Sequence, residues 1–154
     1  MLGSLLSRLL GPAPEPLAAQ DTRLALTALL VRLARTDGFY AFEEVEAIEA
    51  ILQDRYDLDA FGASELRKKA EEIEQSAPDT VRFTRALKEA TPLEEREGLL
   101  QALWSVALAD GNRDSGEDSQ MRMITSLLGL SDVQSALARQ KAARARGGAS
   151  SSQL

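Results

Sequence analysis

The sequence predicts an all-α fold: a single compact domain of about seven helices containing two internally related helical hairpins. Three observations lead there. Leu, Ala and Glu are abundant while aromatics are only 5% of the chain, a mix that favours helices over strands. Apolar residues recur at helical spacing, most clearly at Leu99, Leu100, Leu103, Trp104, Ala107 and Leu108, and again at Met121, Ile124, Leu127 and Leu128. An earlier stretch repeats that plan, with Asp37-Gly38 matching Asp110-Gly111, Leu30 matching Leu103, Ala34 matching Ala107, Glu44 matching Glu117 and Ile51 matching Ile124.

Bulk properties narrow the function. The 154 residues suffice for one domain with a real core, and the 44% hydrophobic content is that of a globular chain. With no cysteine, disulfides and thiolate metal sites are excluded. With no histidine, the commonest general base and the commonest transition-metal ligand are gone too. A net charge of −6 argues against nucleic acid as a partner. No run is long enough to cross a bilayer and no secretory signal is evident, so the expected compartment is cytoplasmic, with membrane association at most peripheral.

Taken in order, residues 1–10 form a miniature amphipathic helix. Leu2, Leu5, Leu6, Leu9 and Leu10 share one face, and Ser4, Ser7 and Arg8 the other. Such a segment either docks on its own domain or serves as a hook for a partner groove or membrane surface. Residues 11–20 are a proline-rich linker, and 21–145 are the helical domain. Asp21 or Thr22 caps a first helix that is apolar almost all round and runs to about Arg35, where Gly38 stops it. Glu43 to Tyr56 is a second helix with Val45, Ile48, Leu52 and Tyr56 facing inward. Asp57 to Ala63 reads as a connector that tucks Leu58 and Phe61 into the core. Ser64 to Ser76 is helical, with Lys68 and Glu72 spaced for an i,i+4 ion pair. Pro78-Asp79 restarts the chain for a short helix carrying Val81, Phe83 and Leu87. Thr91-Pro92-Leu93-Glu94 reads as a capping box launching the helix of Trp104, and Ser131-Asp132-Val133-Gln134 as another. The helix after it turns Val133, Leu137 and Ala138 inward, and residues 146–154 have the composition of a disordered tail.

Site-like density occurs once, at Asp110-Gly111-Asn112-Arg113-Asp114-Ser115-Gly116-Glu117. Alternating oxygen donors at Asp110, Asn112 and Asp114 suit a hard divalent cation, calcium or magnesium, although the loop is too short for an EF-hand. The same residues also serve as plain helix punctuation, with Gly111 stopping one helix and Asp114 and Glu117 capping the next. The first turn keeps Asp37 and Glu44, puts Ala41 where Asp114 stands, and is otherwise dominated by Phe39, Tyr40 and Phe42.

On LARTDGFYAFEEVEAI and LWSVALADGNRDSGEDSQMRMITSLLGLSD the chain resembles the tellurite-resistance protein B (TerB) family and the wider TerB-like superfamily, from about Asp21 to Ala142. The resemblance implies an all-helical fold of about seven helices with internal two-fold similarity. It implies acidic residues of the two turns as divalent-metal ligands: Asp37, Asp110, Asp114 and Glu117 match that pattern, and Glu44 matches through the internal repeat. It also implies a role in tellurite or general stress response, and TerB-like domains recur as modules of larger assemblies, including some J-domain co-chaperones. Ala41 and Ser119 depart from the pattern, which weighs against a transition metal and a complete two-metal arrangement. The expected function is therefore a non-enzymatic module that binds a cation and a protein partner. The alternatives are a metal-free adaptor that uses residues 1–10 to recruit a partner or membrane surface, and a hydrolase with Asp110 and Glu117 as paired carboxylates, for which no cleft is evident.

Overall fold

In the computed structural model the residues described are 19–36, 40–76, 80–109 and 115–151. They form seven helices: α1 (Ala19–Ala34), α2 (Phe42–Tyr56), α3 (Ala60–Ser76), α4 (Thr80–Ala90), α5 (Leu93–Ala107), α6 (Ser115–Leu127) and α7 (Asp132–Ser151). The all-α reading therefore holds. The segment 1–10, the linker through residue 18, Asp37-Gly38, Pro78-Asp79 and the turn 110–114 lie outside the described residues.

The core is built around α1 and α5. In α1, Leu24, Ala25, Leu26, Ala28, Leu29, Leu30, Val31, Leu33 and Ala34 are all buried, as an almost wholly apolar helix requires. α1 packs chiefly on α3 and α5 chiefly on α7, and the two central helices meet each other. The helix bounds recur after 73 positions, the spacing from Asp37 to Asp110. That shift carries α1 onto α5 and α2 onto α6 within about two residues. Equivalent positions are buried alike: Leu26 and Leu99, Leu30 and Leu103, Ile48 and Met121.

Three buried threonine hydroxyls are satisfied within their own helices. Thr27, Thr84 and Thr125 each donate to the carbonyl four residues back, at 2.7 Å, so three polar groups enter the core without a desolvation deficit.

Several local expectations are corrected. The connector after α2 is only Asp57 to Asp59. Asp57 ends α2 in the left-handed region (φ 53°), and the Asp59 carboxylate accepts the Gly62 N–H at 2.7 Å, starting α3 at Ala60. Phe61 is consequently on the first turn of a helix and 73% exposed, whereas Leu58 does pack on the core. In α7 the inward residues are Ser135, Ala138 and Ala142, while Val133 and Leu137 face out. The small inner face lets α7 lie close against α5. α7 runs from Asp132 to Ser151, and α1 begins at Ala19.

The two expected capping boxes fare differently. At Thr91 no box forms, because the helix starts one residue later than expected and Pro92 takes the N-cap position without a side-chain cap. At Ser131 it forms in full: Gln134 N–H donates to Ser131 Oγ (3.1 Å), and Ser131 N–H donates to Gln134 Oε1 (2.8 Å). Just before it, Gly129 takes φ 76°, a conformation costly for other residues, and its N–H closes α6 on Ser126 O. Ser131→Ala is expected to cost about 1 kcal/mol in urea unfolding; no loss at all would mean water replaces the cap.

Candidate functional site

Of the five candidate ligands, Asp37, Asp110 and Asp114 lie outside the described residues, as does the side chain of Glu117. Glu44 is described. It is the third residue of α2, and its carboxylate is fully buried. One oxygen, Oε1, accepts the Ala41 N–H at 3.1 Å. Ala41 has no side-chain acceptor to return the bond, so this is one half of a capping box. Burying a carboxylate is costly unless its charge is met, so Glu44 is an unusual residue to find on the inner side of a helix start. Glu117 is likewise the third residue of its helix, α6. Both acids thus follow an Asp-Gly turn at the same register. One turn beyond Glu117, Gln120 holds its amide oxygen buried with no hydrogen-bond donor among the described residues. Among those residues no three His, Cys, Asp or Glu side chains gather as a metal cluster.

Beside the first turn is a network that the sequence reading did not anticipate. Arg67 of α3 donates from Nε to Glu49 Oε2 (2.8 Å) and from Nη1 to Glu71 Oε2 (2.6 Å). The same Glu71 oxygen accepts the Tyr40 hydroxyl at 2.8 Å. The Arg35 guanidinium lies 5.2 Å from the Tyr40 ring centroid and, with Arg32, pairs with Glu74. The i,i+4 pair on α3 is therefore Arg67–Glu71, while Lys68 and Glu72 are exposed. Only that local spacing was available to the reader of the sequence; Glu49 is 18 residues away and is supplied by packing.

Burial, and then the Glu71 carboxylate, raise the Tyr40 phenol above its ordinary 10.0, against a smaller opposing effect of Arg67. Burial likewise raises Tyr56, opposed by Arg55 and Arg23. For Arg67, burial pulls downward, but the hydrogen bonds of Glu49 and Glu71 outweigh it and the guanidinium ends above its usual value. The tyrosines carry a pH dependence. A folded-state pKa above the unfolded one contributes stability that is intact below about pH 10 and fades as pH climbs further, because the unfolded chain sheds its protons first. The urea midpoint is expected to fall above about pH 10, and Tyr40→Phe to flatten that fall. A midpoint insensitive to pH there would refute it.

A cleft of about 580 Å³ opens between α5, α6 and α7. On its floor the Trp104 indole N–H donates to Ser135 Oγ (3.1 Å), and the Arg139 guanidinium lies 5.3 Å from the indole ring. Thr125 Oγ1 lies 3.3 Å from the same serine oxygen. Trp104, the single tryptophan, therefore stands six residues before Asp110 in the sequence and serves as a built-in fluorescence reporter.

The family model described as Tellurite resistance protein TerB matches residues 23–140. The chain belongs to the TerB family. No curated protein and no solved structure matches it. The match spans the helices from α1 into α7, and so encloses both Asp-Gly turns of this TerB domain. No helix among the described residues is long and apolar enough to cross a membrane.

Proposed function

We propose that this TerB domain is a non-enzymatic module that binds a hard divalent cation, calcium or magnesium, at the acidic turn between α5 and α6. In that state it engages a protein partner in a tellurite or stress response. The observation that carries the reading is the shared register of Glu44 and Glu117, each the third residue of a helix that follows an Asp-Gly turn. Asp110, Asp114 and Glu117 would supply the oxygens at the second turn, with Asp37 and Glu44 as their counterparts at the first. Family membership supports the reading, as does a donor set of carboxylates and amides with neither histidine nor cysteine. A buried Gln120 oxygen lacking a donor one turn along α6 is a group that a nearby cation would satisfy. The ion would offset the repulsion of the clustered acids and fix the angle between the flanking helices.

Isothermal titration with calcium, magnesium and manganese tests it, run beside Asp110→Asn/Asp114→Asn. The wild-type chain should give a saturable heat and a Trp104 emission change, and the double variant neither. At a hundredfold excess over Kd the ion should also stabilise the fold by about 2.7 kcal/mol. Equal heats from both proteins would remove the site.

A further inference from the structure

A groove of about 620 Å³ runs between α2, α5 and α7. Ala47, Ala50 and Ile51 of α2, Ala102 and Ser105 of α5 and Ala142 of α7 line it. Among the described residues nothing fills it. We propose that the groove is the docking site of this chain's own amino-terminal segment, Met1 to Leu10, bound in cis through its leucine face.

Three observations converge on that occupant. The first is the attachment point. Arg23, on the second turn of α1, lies 4.7 Å from the Tyr56 ring at the end of α2, and the neighbouring Arg55 lines the groove. Eight residues, Gly11 to Ala18, separate the segment from α1, and three are proline. At about 3.1 Å per residue they reach about 25 Å, ample for a groove that opens beside α1's start. The second is size. As a helix, Leu2 to Leu10 would span about 12 Å, against about 10 Å for the stretch of α2 from Ala47 to Asp54. The third is chemistry. Leu2, Leu5, Leu6, Leu9 and Leu10 make a face that water penalises, and the groove offers five alanines and Ile51 among Asp54, Arg55, Gln101 and Ser105. A short tether keeps the segment close to the domain, which favours it over an unlinked competitor of the same kind.

The chain has no cysteine, so one introduced thiol reports the groove alone. Ala50→Cys is made in the full chain, with and without Leu5→Asp/Leu9→Asp, and its reaction with a water-soluble thiol reagent is timed. Ser126→Cys, on an exposed site of α6, is the control. Circular dichroism and Trp104 emission verify that the aspartate pair leaves the domain folded. Breaking the leucine face should speed the Ala50→Cys reaction about tenfold and leave Ser126→Cys unchanged. The protection should be independent of protein concentration. Equal rates with and without the aspartates would overturn the proposal. So would protection that disappears on dilution, which would place a second copy in the groove.

Discussion

Phe83→Ala is expected to remove about 3–5 kcal/mol of folding free energy, the usual cost of deleting a fully buried aromatic ring. Phe83 lies on α4 with no solvent exposure, and α4 packs on both α1 and α6. The ring therefore fills the space where the two halves of the chain are held together. The Arg32 guanidinium lies 5.4 Å from the ring centroid, so the loss also removes a cation–π contact worth about 0.5–1 kcal/mol. Domains of this size are stable by only about 5–15 kcal/mol, so the substitution consumes a third or more of the total. Urea unfolding followed by Trp104 emission measures it, with the midpoint falling and the slope kept. Phe61→Ala is the contrast: 73% exposed, it should change stability by less than about 0.5 kcal/mol. If the two variants behave alike, the assignment of which phenylalanine holds the core is wrong.

Those two phenylalanines also mark where sequence reading works and where it stops. Long periodic stretches declare themselves: α1 and α5 bury the residues their spacing selects, because a helix with apolar side chains on most faces has nowhere to go but the centre. The third and seventh helices were harder. Asp59 is a good N-cap, and taking it as loop shifts the start of α3 from Ala60 to Ser64 and turns Phe61 the wrong way. In α7 the more hydrophobic Val133 and Leu137 were natural candidates for the core. The face that docks is the smaller one, since close approach to α5 rewards Ser135, Ala138 and Ala142. At the candidate site the acids and their register were legible, since Asp-Gly followed by Glu at a fixed spacing is a linear pattern. The burial of Glu44 and the joining of Glu49, Arg67 and Tyr40 across three segments were not, because tertiary packing alone brings them together.

Arg67→Met is expected to cost about 2–3 kcal/mol, more than an exposed ion pair would and less than a wholly buried one. The arginine side chain is 14% exposed and its partners Glu49 and Glu71 are 28% and 22% exposed, so solvent screens the network only in part. Methionine keeps most of the packing volume, which isolates the charge. Without the guanidinium, Glu49 and Glu71 lose their shared cation, and Glu71 retains only the Tyr40 hydroxyl among the bonds described above. Glu71→Gln alone should cost less, since Arg67 still pairs with Glu49. The double variant should be less destabilised than the sum of the two singles, because the second substitution removes a charge already stranded by the first. A loss below about 0.5 kcal/mol for Arg67→Met would reduce the network to a solvated face. The consequence extends to the first turn. Tyr40 stands three residues after Asp37 and four before Glu44, held by Glu71 and capped by Arg35. Loosening Glu71 should therefore loosen the approach to α2, and faster amide exchange at the start of α2 in Arg67→Met is the expected sign.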